Sequence, residues 1–462
     1  MHLKAVKLYL LILFGYLRRN TGWVVLVFAA VAILLILQAK LNLFTQDNVV
    51  RIGIVGTFQE HDLPFEVTSL LSTGLLKADS NGRISPNLVT GWDVNNDATE
   101  FKFKLKDNLY WCDGTQIKSE DLLFNIPNTE VSSPNEREVL FKLKQSYSPL
   151  PSLLLKPIFK KGALIGTGPY KISKIEKSRI FITKIILKSS DPKLPTLHFR
   201  FYPSGKVAVT GFNLGEVQVL MGLSDMKAVP QNARTKLRQK TDYSKIVTVL
   251  FNTADSILNN RSLRQAFAYQ TPKIKNEETT NNPYPPDFWA RDENAKKYLS
   301  NEEEAYEALE RAKSSLSGEQ LTGEVFLTTT PNLEETGRQI VSAWSQLGFD
   351  AKLRVESGIP QNFQALLITQ SIPQDPDQYF LWHATQTKTN LSKYDSKRAD
   401  KDLEDGRKAV SEDERKEKYF DFQKTLLEDA PAIFLYFPKY NIFYLKKVEP
   451  LLDKILSLQS AK

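Results

Sequence analysis

Residues 100–122 read EFKFKLKDNLYWCDGTQIKSEDL, and three structural instructions follow one another along this stretch. Glu100–Leu105 alternates polar and apolar side chains strictly, the pattern of a strand with one buried and one wet face. Trp111-Cys112-Asp113-Gly114 ends on an Asp-Gly pair, which is the chemistry of a tight turn. Ser119 then stands where it can cap a helix beginning at Glu120. Cys112 is the single cysteine of the chain and reads as a buried, inert thiol. Being alone, it excludes an internal disulfide, a Cys-rich metal site and a CxxC redox motif.

Upstream of this stretch, Val49–Val55 is an apolar, β-branched run that reads as a first core strand. Asp79–Arg83 (DSNGR) supplies turn chemistry between two extended segments. Downstream, the proline-rich residues 126–160 read as strand and loop, and Ile180–Leu187, Leu197–Tyr202 and Ile246–Phe251 as further strands. The pattern then changes. Asn301 can cap a helix with Glu304 three residues on, and Ala305, Ala308, Leu309 and Ala312 mark its apolar face. Gly323–Thr329, Leu333–Leu347 (ended by Gly348) and Asp350–Val355 follow as strand, helix and strand, which predicts a parallel βαβ pair. Ala365–Thr369 is a buried strand, and Asp413–Glu428 an amphipathic helix. Ala430-Pro431 stops that helix before the aromatic strand Ile433–Phe437. A strand-rich first half thus precedes a mixed α/β second half, whose last strand returns to the first.

The N-terminus carries a different signal. Gly22–Ala39 (GWVVLVFAAVAILLILQA) has no charged side chain, and at 1.5 Å per residue it reaches about 27 Å, enough to cross a thin hydrocarbon core. Lys4, Lys7, Arg18 and Arg19 precede it, so the positive-inside bias places the basic N-terminus (1–21) in the cytoplasm and the body outside. The expectation is a single-pass transmembrane anchor over 22–39 in the cytoplasmic membrane, a linker over 40–48, and an extracytoplasmic body. A cleavable signal peptide is the alternative, although no small-x-small site is clear near Gln38–Asn42. Of the net +8 over 462 residues, residues 1–40 hold +5. The remaining +3 describes an ordinary soluble surface and not a nucleic-acid partner. The four histidines, at 2, 61, 198 and 383, have no metal-ligand spacing, and no HExxH, GxSxG or Walker motif occurs. The chain reads as no enzyme, with no cofactor and no metal.

Seven segments in order resemble the bacterial extracellular solute-binding proteins of family 5, the peptide-, dipeptide- and nickel-binding group of ABC transporters. They are Leu70–Trp92 (with LLSTGLLKAD and GRISPNLVTGW), Phe101–Leu122, Gly166–Tyr170 (GTGPY), Leu250–Ala268 (LFNTADSILNNRSLRQAFA), Pro283–Ala290 (PYPPDFWA), Asp375–Leu381 (DPDQYFL) and Asp429–Leu435 (DAPAIFL). The glycines of GTGPY read as a tight chain reversal. The resemblance implies an α/β, two-lobed periplasmic-binding-protein-like fold of class II, with an extra strand-rich subdomain in lobe one. It puts lobe one at 46–252 with 436–462 and lobe two at 253–435, with chain crossings near Phe251–Ala254 and Leu435–Tyr440. Ligand is enclosed between the lobes by hinge closure.

The resemblance also implies a binding loop, Gln370–His383, which brings in Gln370 and Ser371. In peptide-binding members an acid four places before the loop proline pairs with the ligand α-amino group. Here that proline resembles Pro376 and the position holds Ile372, which cannot hold an ammonium, so recognition of a free N-terminus requires Asp375 or Asp377 to substitute; helix capping is their other reading. Trp289, Tyr379 and Trp382 offer flat apolar walls or core packing. Gln59 and His61 lie on the lobe-one loop after the first strand, and His383 is the candidate for a metal chelate. Asn252, at the expected crossing, bonds peptide backbone or fixes the hinge. The expected partners are a peptide or peptide-like ligand, ABC permease subunits and the membrane. Alternatives are a cell-surface receptor on the same fold, metal-chelate binding, and a peptidase with a dispersed triad.

Overall fold

The alternating run 100–105 is a strand, as its pattern requires, and sits in the middle of one of four sheets. The computed structural model describes residues 33, 48–224, 229, 232–321 and 323–460. The expected cytoplasmic segment 1–21, the anchor 22–39 apart from Ile33, and the linker up to residue 47 lie outside the described residues. Among the described residues no helix is long and apolar enough to cross a membrane.

The chain runs β1 (Val49–Val55), α1 (Phe65–Leu71), β2 (Leu76–Ala78), β3 (Ile84–Pro86), β4 (Val89–Val94), β5 (Glu100–Leu105), β6 (Thr129–Asn135), β7 (Glu138–Leu143), α2 (Leu150–Leu153), β8 (Tyr170–Ser178), β9 (Phe181–Ser189), β10 (Thr196–Tyr202), α3 (Gly205–Asn213), β11 (Val219–Met221) and β12 (Thr235–Thr241). It continues through β13 (Lys245–Phe251), α4 (Arg261–Gln270), β14 (Glu278–Thr279), α5 (Glu302–Lys313), α6 (Gly318–Leu321), β15 (Glu324–Thr329), α7 (Glu334–Ser345), β16 (Asp350–Val355) and β17 (Ala365–Ser371). Then follow α8 (Tyr379–Trp382), α9 (Lys397–Lys408), α10 (Glu412–Asp429), β18 (Ala432–Phe437), β19 (Lys439–Leu445) and α11 (Glu449–Ser460). A seven-stranded sheet, ordered β12-β19-β11-β1-β10-β9-β8, forms the first lobe, and a six-stranded sheet, β14-β18-β13-β17-β15-β16, forms the second. A four-stranded sheet, β4-β5-β7-β6, is the strand-rich subdomain, and β2-β3 is the hairpin around Asp79–Arg83. The βαβ pair is as expected, with β15 and β16 parallel from Glu324↔Asp350 to Thr329↔Val355.

The first crossing differs from expectation. β13 already pairs with β17 and β18 of the second sheet, so the chain changes sheet at 242–244 and not near Phe251–Ala254. The apolar run Ile246–Phe251 announces a core strand equally well in either lobe, and only its partners assign it. The return crossing is Pro438, within the expected stretch, and Asp242 N donates to Pro438 O at 2.8 Å. The two crossings therefore lie side by side. The first closes tightly, with Lys245 N on Asp242 O (3.2 Å) and Ser244 N on Asp242 Oδ1 (3.1 Å).

Three local readings change. Ser119 opens only a 3-10 turn, Ser119–Asp121, because its hydroxyl donates to Asn135 O in β6, while Asp121 Oδ2 accepts from Lys118 N (3.0 Å). Cys112 is half-buried, not buried. Gly166 and Gly168 mark a close approach of chains, not a reversal. A Cβ on either would lie 2.2–2.3 Å from the carbonyl oxygens of Leu71 and Leu70, and Gly168 N donates to Leu71 O at 2.8 Å.

Two of the seven segments meet at the end of α10. Arg264, buried in α4, donates to Leu258 O and Asn259 O (both 2.9 Å), to Ala430 O (3.0 Å) and to Asp429 O (2.5 Å). Gln265 Nε2 donates to Glu428 O (2.7 Å) and Tyr298 OH to Leu427 O (2.7 Å). A helix C-terminus leaves its last carbonyls without intrahelical donors, and here side chains of the second lobe supply them. Burial pushes the Arg264 guanidinium down to about 10, against the opposing pull of Asp429, so it stays charged at neutral pH. Replacing Arg264 by Met strands these carbonyls and lowers stability by about 3–5 kcal/mol. Lysine, lacking the planar fork, recovers less than half of that. Chemical denaturation of the two variants beside the parent measures both losses.

Candidate functional site

The second lobe holds the candidate loop, residues 370–383, through hydrogen bonds made by another of the seven segments. Tyr284 OH donates to Pro376 O (2.6 Å), and Gln378 Nε2 to Pro283 O (3.3 Å). Within the loop, Asp375 Oδ1 accepts from Asp377 N (3.0 Å), and Asp377 Oδ1 from Tyr379 N (3.1 Å), which turns the chain into α8. Both carboxylates also face arginines from the helix pair behind the loop. Asp375 Oδ1 meets Arg415 Nη2 at 2.5 Å, near the start of α10, and Asp377 Oδ2 meets Arg407 Nε at 3.0 Å, at the end of α9. All but Arg407 of these four side chains are buried. Burial raises Asp377 from the ordinary carboxylate value to about 6. The charge of Arg407 opposes this, and the neighbouring Asp375 adds to it.

Arg407 is where the lobes join. Its guanidinium lies 4.1 Å from the centre of the Tyr379 ring and 4.9 Å from that of Tyr147, which belongs to the strand-rich subdomain. Its carbonyl accepts from Ser148 N at 2.8 Å, and Gly406 O from Ser148 Oγ at 3.3 Å. Burial raises the Tyr147 phenol to about 12, with the Asp377 and Asp375 carboxylates adding to the effect. A second bridge comes from the β2–β3 hairpin. Asn81 O accepts from Trp289 N (2.9 Å), and Gly82, at φ +76°, lies against the Phe288 ring where no Cβ fits. Arg83 Nε pairs with Glu412 Oε1 (3.0 Å) at the surface.

Cavities between the lobes include one of about 280 Å³ between Asp79–Gly82 of the β2–β3 hairpin and the facing Phe288, Ile372 and Gln374, and two others. The larger, about 880 Å³, is lined by Ile126–Thr129, Leu143–Tyr147 and Leu153 on one side and by Tyr379, Glu404, Arg407 and Lys408 on the other. The smaller, about 180 Å³, lies between Arg83, Trp92, Phe101 and Ser148 and the facing Trp289, Asp375, Glu412 and Arg415.

Of the residues expected from sequence, Trp289, Ile372, Asp375 and Tyr379 line these cavities. Asp377 stands behind, ion-paired with Arg407. Trp382 is buried, donating from Nε1 to Gln378 Oε1 (2.8 Å) and packing edge-on to Tyr394 and Phe434. His383 is buried and stacks on Tyr379 at 4.0 Å, with Thr385 Oγ1 at 2.9 Å from Nδ1 and Glu404 Oε1 at 3.2 Å from Nε2. Among the described residues no group of three or more His, Cys, Asp or Glu side chains is arranged to hold a metal ion.

Gln370 and Ser371 pair with Ile246 and Lys245 at the hinge end of the sheet, and Ile372 N donates to Ser244 O (2.8 Å). Asn252 is at the opposite end of β13, where its amide donates to Phe363 O (2.9 Å) and its Oδ1 accepts from Ala254 N (3.2 Å). Gln59 and exposed His61 follow β1 on a loop that lines none of these cavities. Arg407, Arg415 and Tyr147 were not foreseen. An arginine in a charged helix such as KRADKDLEDGRK carries no local mark of the loop acid that it meets.

Because the folded Asp377 carboxyl binds its proton more tightly than the unfolded one, the native state gains from protonation as pH falls from about 6 to 4. Stability from this group is therefore lost as pH rises through 6. Asp377→Asn removes that dependence. The stability difference between parent and variant is expected to shift by roughly 3 kcal/mol across pH 4–7, two units at about 1.4 kcal/mol each. Urea unfolding at each pH reads it, and a constant difference would refute the placement of this carboxyl.

Residues 83–392 match the family model described as bacterial extracellular solute-binding proteins, family 5, middle. The chain is 21% identical to the oligopeptide-binding protein AppA of Bacillus subtilis, over 83% of this chain and 84% of that protein. It is 19% identical to the probable D,D-dipeptide-binding periplasmic protein DdpA of Escherichia coli, over 82% and 84%. Among solved structures it is similar to NikZ from Campylobacter jejuni in complex with Ni(L-His), with a TM-score of 0.69 at 21% identity over 87% of this chain and 94% of that one. It is likewise similar to AppA from Bacillus subtilis in complex with a nonapeptide, with a TM-score of 0.64 at 17% identity over 86% and 95%. The two-lobed α/β architecture is that of these binding proteins, and the chain belongs to the bacterial extracellular solute-binding proteins of family 5.

Proposed function

We propose that this protein is the solute-binding component of an ABC importer and captures a peptide or peptide-like ligand between its lobes. The lobes are 48–241 with 439–460 and 245–437, and they close about the paired crossings at 242–244 and 438. The observation that carries the reading is the cavity of about 880 Å³, walled by Tyr147 from one lobe and Tyr379 from the other, with Arg407 between them. Its size suits an organic ligand, and residues from both lobes give a ligand its differential grip on the closed form. The protein makes and breaks no bond, and the permease and ATPase are other chains. The body lies outside the cytoplasmic membrane, tethered by residues 22–39.

Ligand recognition departs from an amine-anchored scheme. Ile372 is apolar and buried, and Asp375 and Asp377 are each engaged by an arginine. The charges at the larger cavity are Lys144, Arg407 and Lys408 against Glu404, a balance that favours a ligand carboxylate. Tyr147, Trp289, Asp375, Tyr379, Arg407 and Arg415 are the proposed contacts.

A thermal-shift series with the full chain in detergent tests this, using peptide pools with free or blocked termini, nickel–histidine chelates and oligosaccharides. Ligand at 100 times its Kd stabilises by about 2.7 kcal/mol. Peptides with a free carboxyl terminus are expected to shift the parent, and Arg407→Ala to abolish most of that shift. A shift with chelates alone would replace the peptide assignment. No shift with any ligand would overturn the importer reading in favour of a receptor on the same fold.

A further inference from the structure

The outer face of the first lobe's sheet carries a charge pattern that solute capture does not use. Apolar side chains of β1, β8, β9 and β10 point inward, among them Val50, Ile52, Ile172, Ile175, Ile185, Leu187, Leu197 and Phe199. By pleat alternation their neighbours point out. Strand register sets those neighbours in rows: Lys171 opposite Lys188; Lys174 opposite Ile186, then His198 and Arg51; Glu176 opposite Lys184, then Arg200. Six cations thus share one face with two carboxylates, Glu176 (2.8 Å from Lys174) and Glu216 (3.4 Å from Arg200).

The whole body from residue 41 onward has a surplus of only +3, so this face holds more than all of it. Like charges directly opposite each other destabilise a sheet, and Lys171–Lys188 and Lys184–Arg200 are two such pairs. Burial first, and then the charges of Lys184 and Arg51, hold the His198 imidazole below its ordinary value, with Glu176 opposing. Arg51 Nε is buried with no hydrogen-bond partner. α3 covers only the neighbouring part of the sheet, around Tyr202, Val217 and Leu220.

The chain enters the body at this end of the face. Thr196 N donates to Asn48 O (2.6 Å) and Asn48 Nδ2 to Leu194 O (3.3 Å), one residue from the Lys171–Lys188 row. Only nine residues separate Ala39 from Val49, a reach of about 30 Å at most. We infer that this basic face rests on anionic lipid headgroups of the membrane to which residues 22–39 tether the chain, an inference that rests on the tether proposed above. Juxtamembrane basic side chains gain from such a surface, and the short linker keeps this face, before any other, within its range.

Full-length protein reconstituted into vesicles tests both parts separately. Amine labelling read by mass spectrometry is compared in phosphatidylcholine alone and with 30% phosphatidylglycerol. Lys171, Lys174, Lys184 and Lys188 are expected to be protected several-fold by the anionic lipid, while Lys297 and Lys401 of the second lobe are unchanged. High salt and the surface triple variant Lys171→Gln, Lys174→Gln, Lys188→Gln should each remove the protection of Lys184. Equal labelling in the two vesicles overturns the inference even where alkaline extraction leaves the chain in the membrane, which tests the tether alone. A chain that washes off at high pH, yet floats with added anionic vesicles through these lysines, sinks the tether and keeps the face.

Discussion

The capped C-terminus of α10 is the constraint on which the second lobe turns. Eighteen residues long, this helix spans about 27 Å, with Arg415 near one end and the buried carbonyls of residues 427–430 at the other. Arg264, Gln265 and Tyr298 satisfy those carbonyls, and Ala430, at φ +48°, turns the chain into β18. β18 leads directly to the crossing at Pro438. Fixing one helix end thereby fixes the charge behind the candidate loop and the strand that ends at the crossing. Without these donors the helix end would be buried and unsatisfied, which costs more than the hydrogen bonds themselves contribute.

Charge placement in the cleft follows from this scaffold. The loop acids Asp375 and Asp377 stand in low-dielectric surroundings where an unpaired carboxylate is unfavourable. Arg415 and Arg407, from two antiparallel helices, answer them one to one. Asp377 shows how closely the terms balance, since burial and Asp375 outweigh Arg407 and leave its carboxyl titrating near 6. Arg407 also lies between aromatic rings of the two lobes, so the ion pair that settles the loop is part of the surface across which the lobes meet.

The segments that identified the family acquire physical reasons in the fold. RSLRQAFA and DAPAIFL are the two sides of the α10 clamp. PYPPDFWA holds the DPDQYFL loop through Tyr284 and meets the hairpin tip through Phe288 and Trp289. GTGPY lies against Leu70–Ser72 so closely that glycine is required. The departures are as instructive. Asn252 is a candidate through its place in such a segment and Trp382 through its place in the loop 370–383; Asn252 bonds backbone at Phe363 and Ala254, and Trp382 packs in the core of the second lobe.

The sequence alone determined some of the elements and their edges. The alternation of EFKFKL, the Asn301 cap, Gly348 and the Ala430-Pro431 stop are local signals, because periodicity and backbone preference act over a few residues. It also identified the family. Only the tertiary structure decided that β13 belongs to the second sheet, that Arg407 and Arg415 answer the loop acids, and that Tyr147 faces Tyr379 across the cleft. Tyr147 is 260 residues from Arg407, and an ion pair between distant segments leaves no periodicity in either. Such contacts are set by which surfaces the core brings together, a property of the packed chain as a whole.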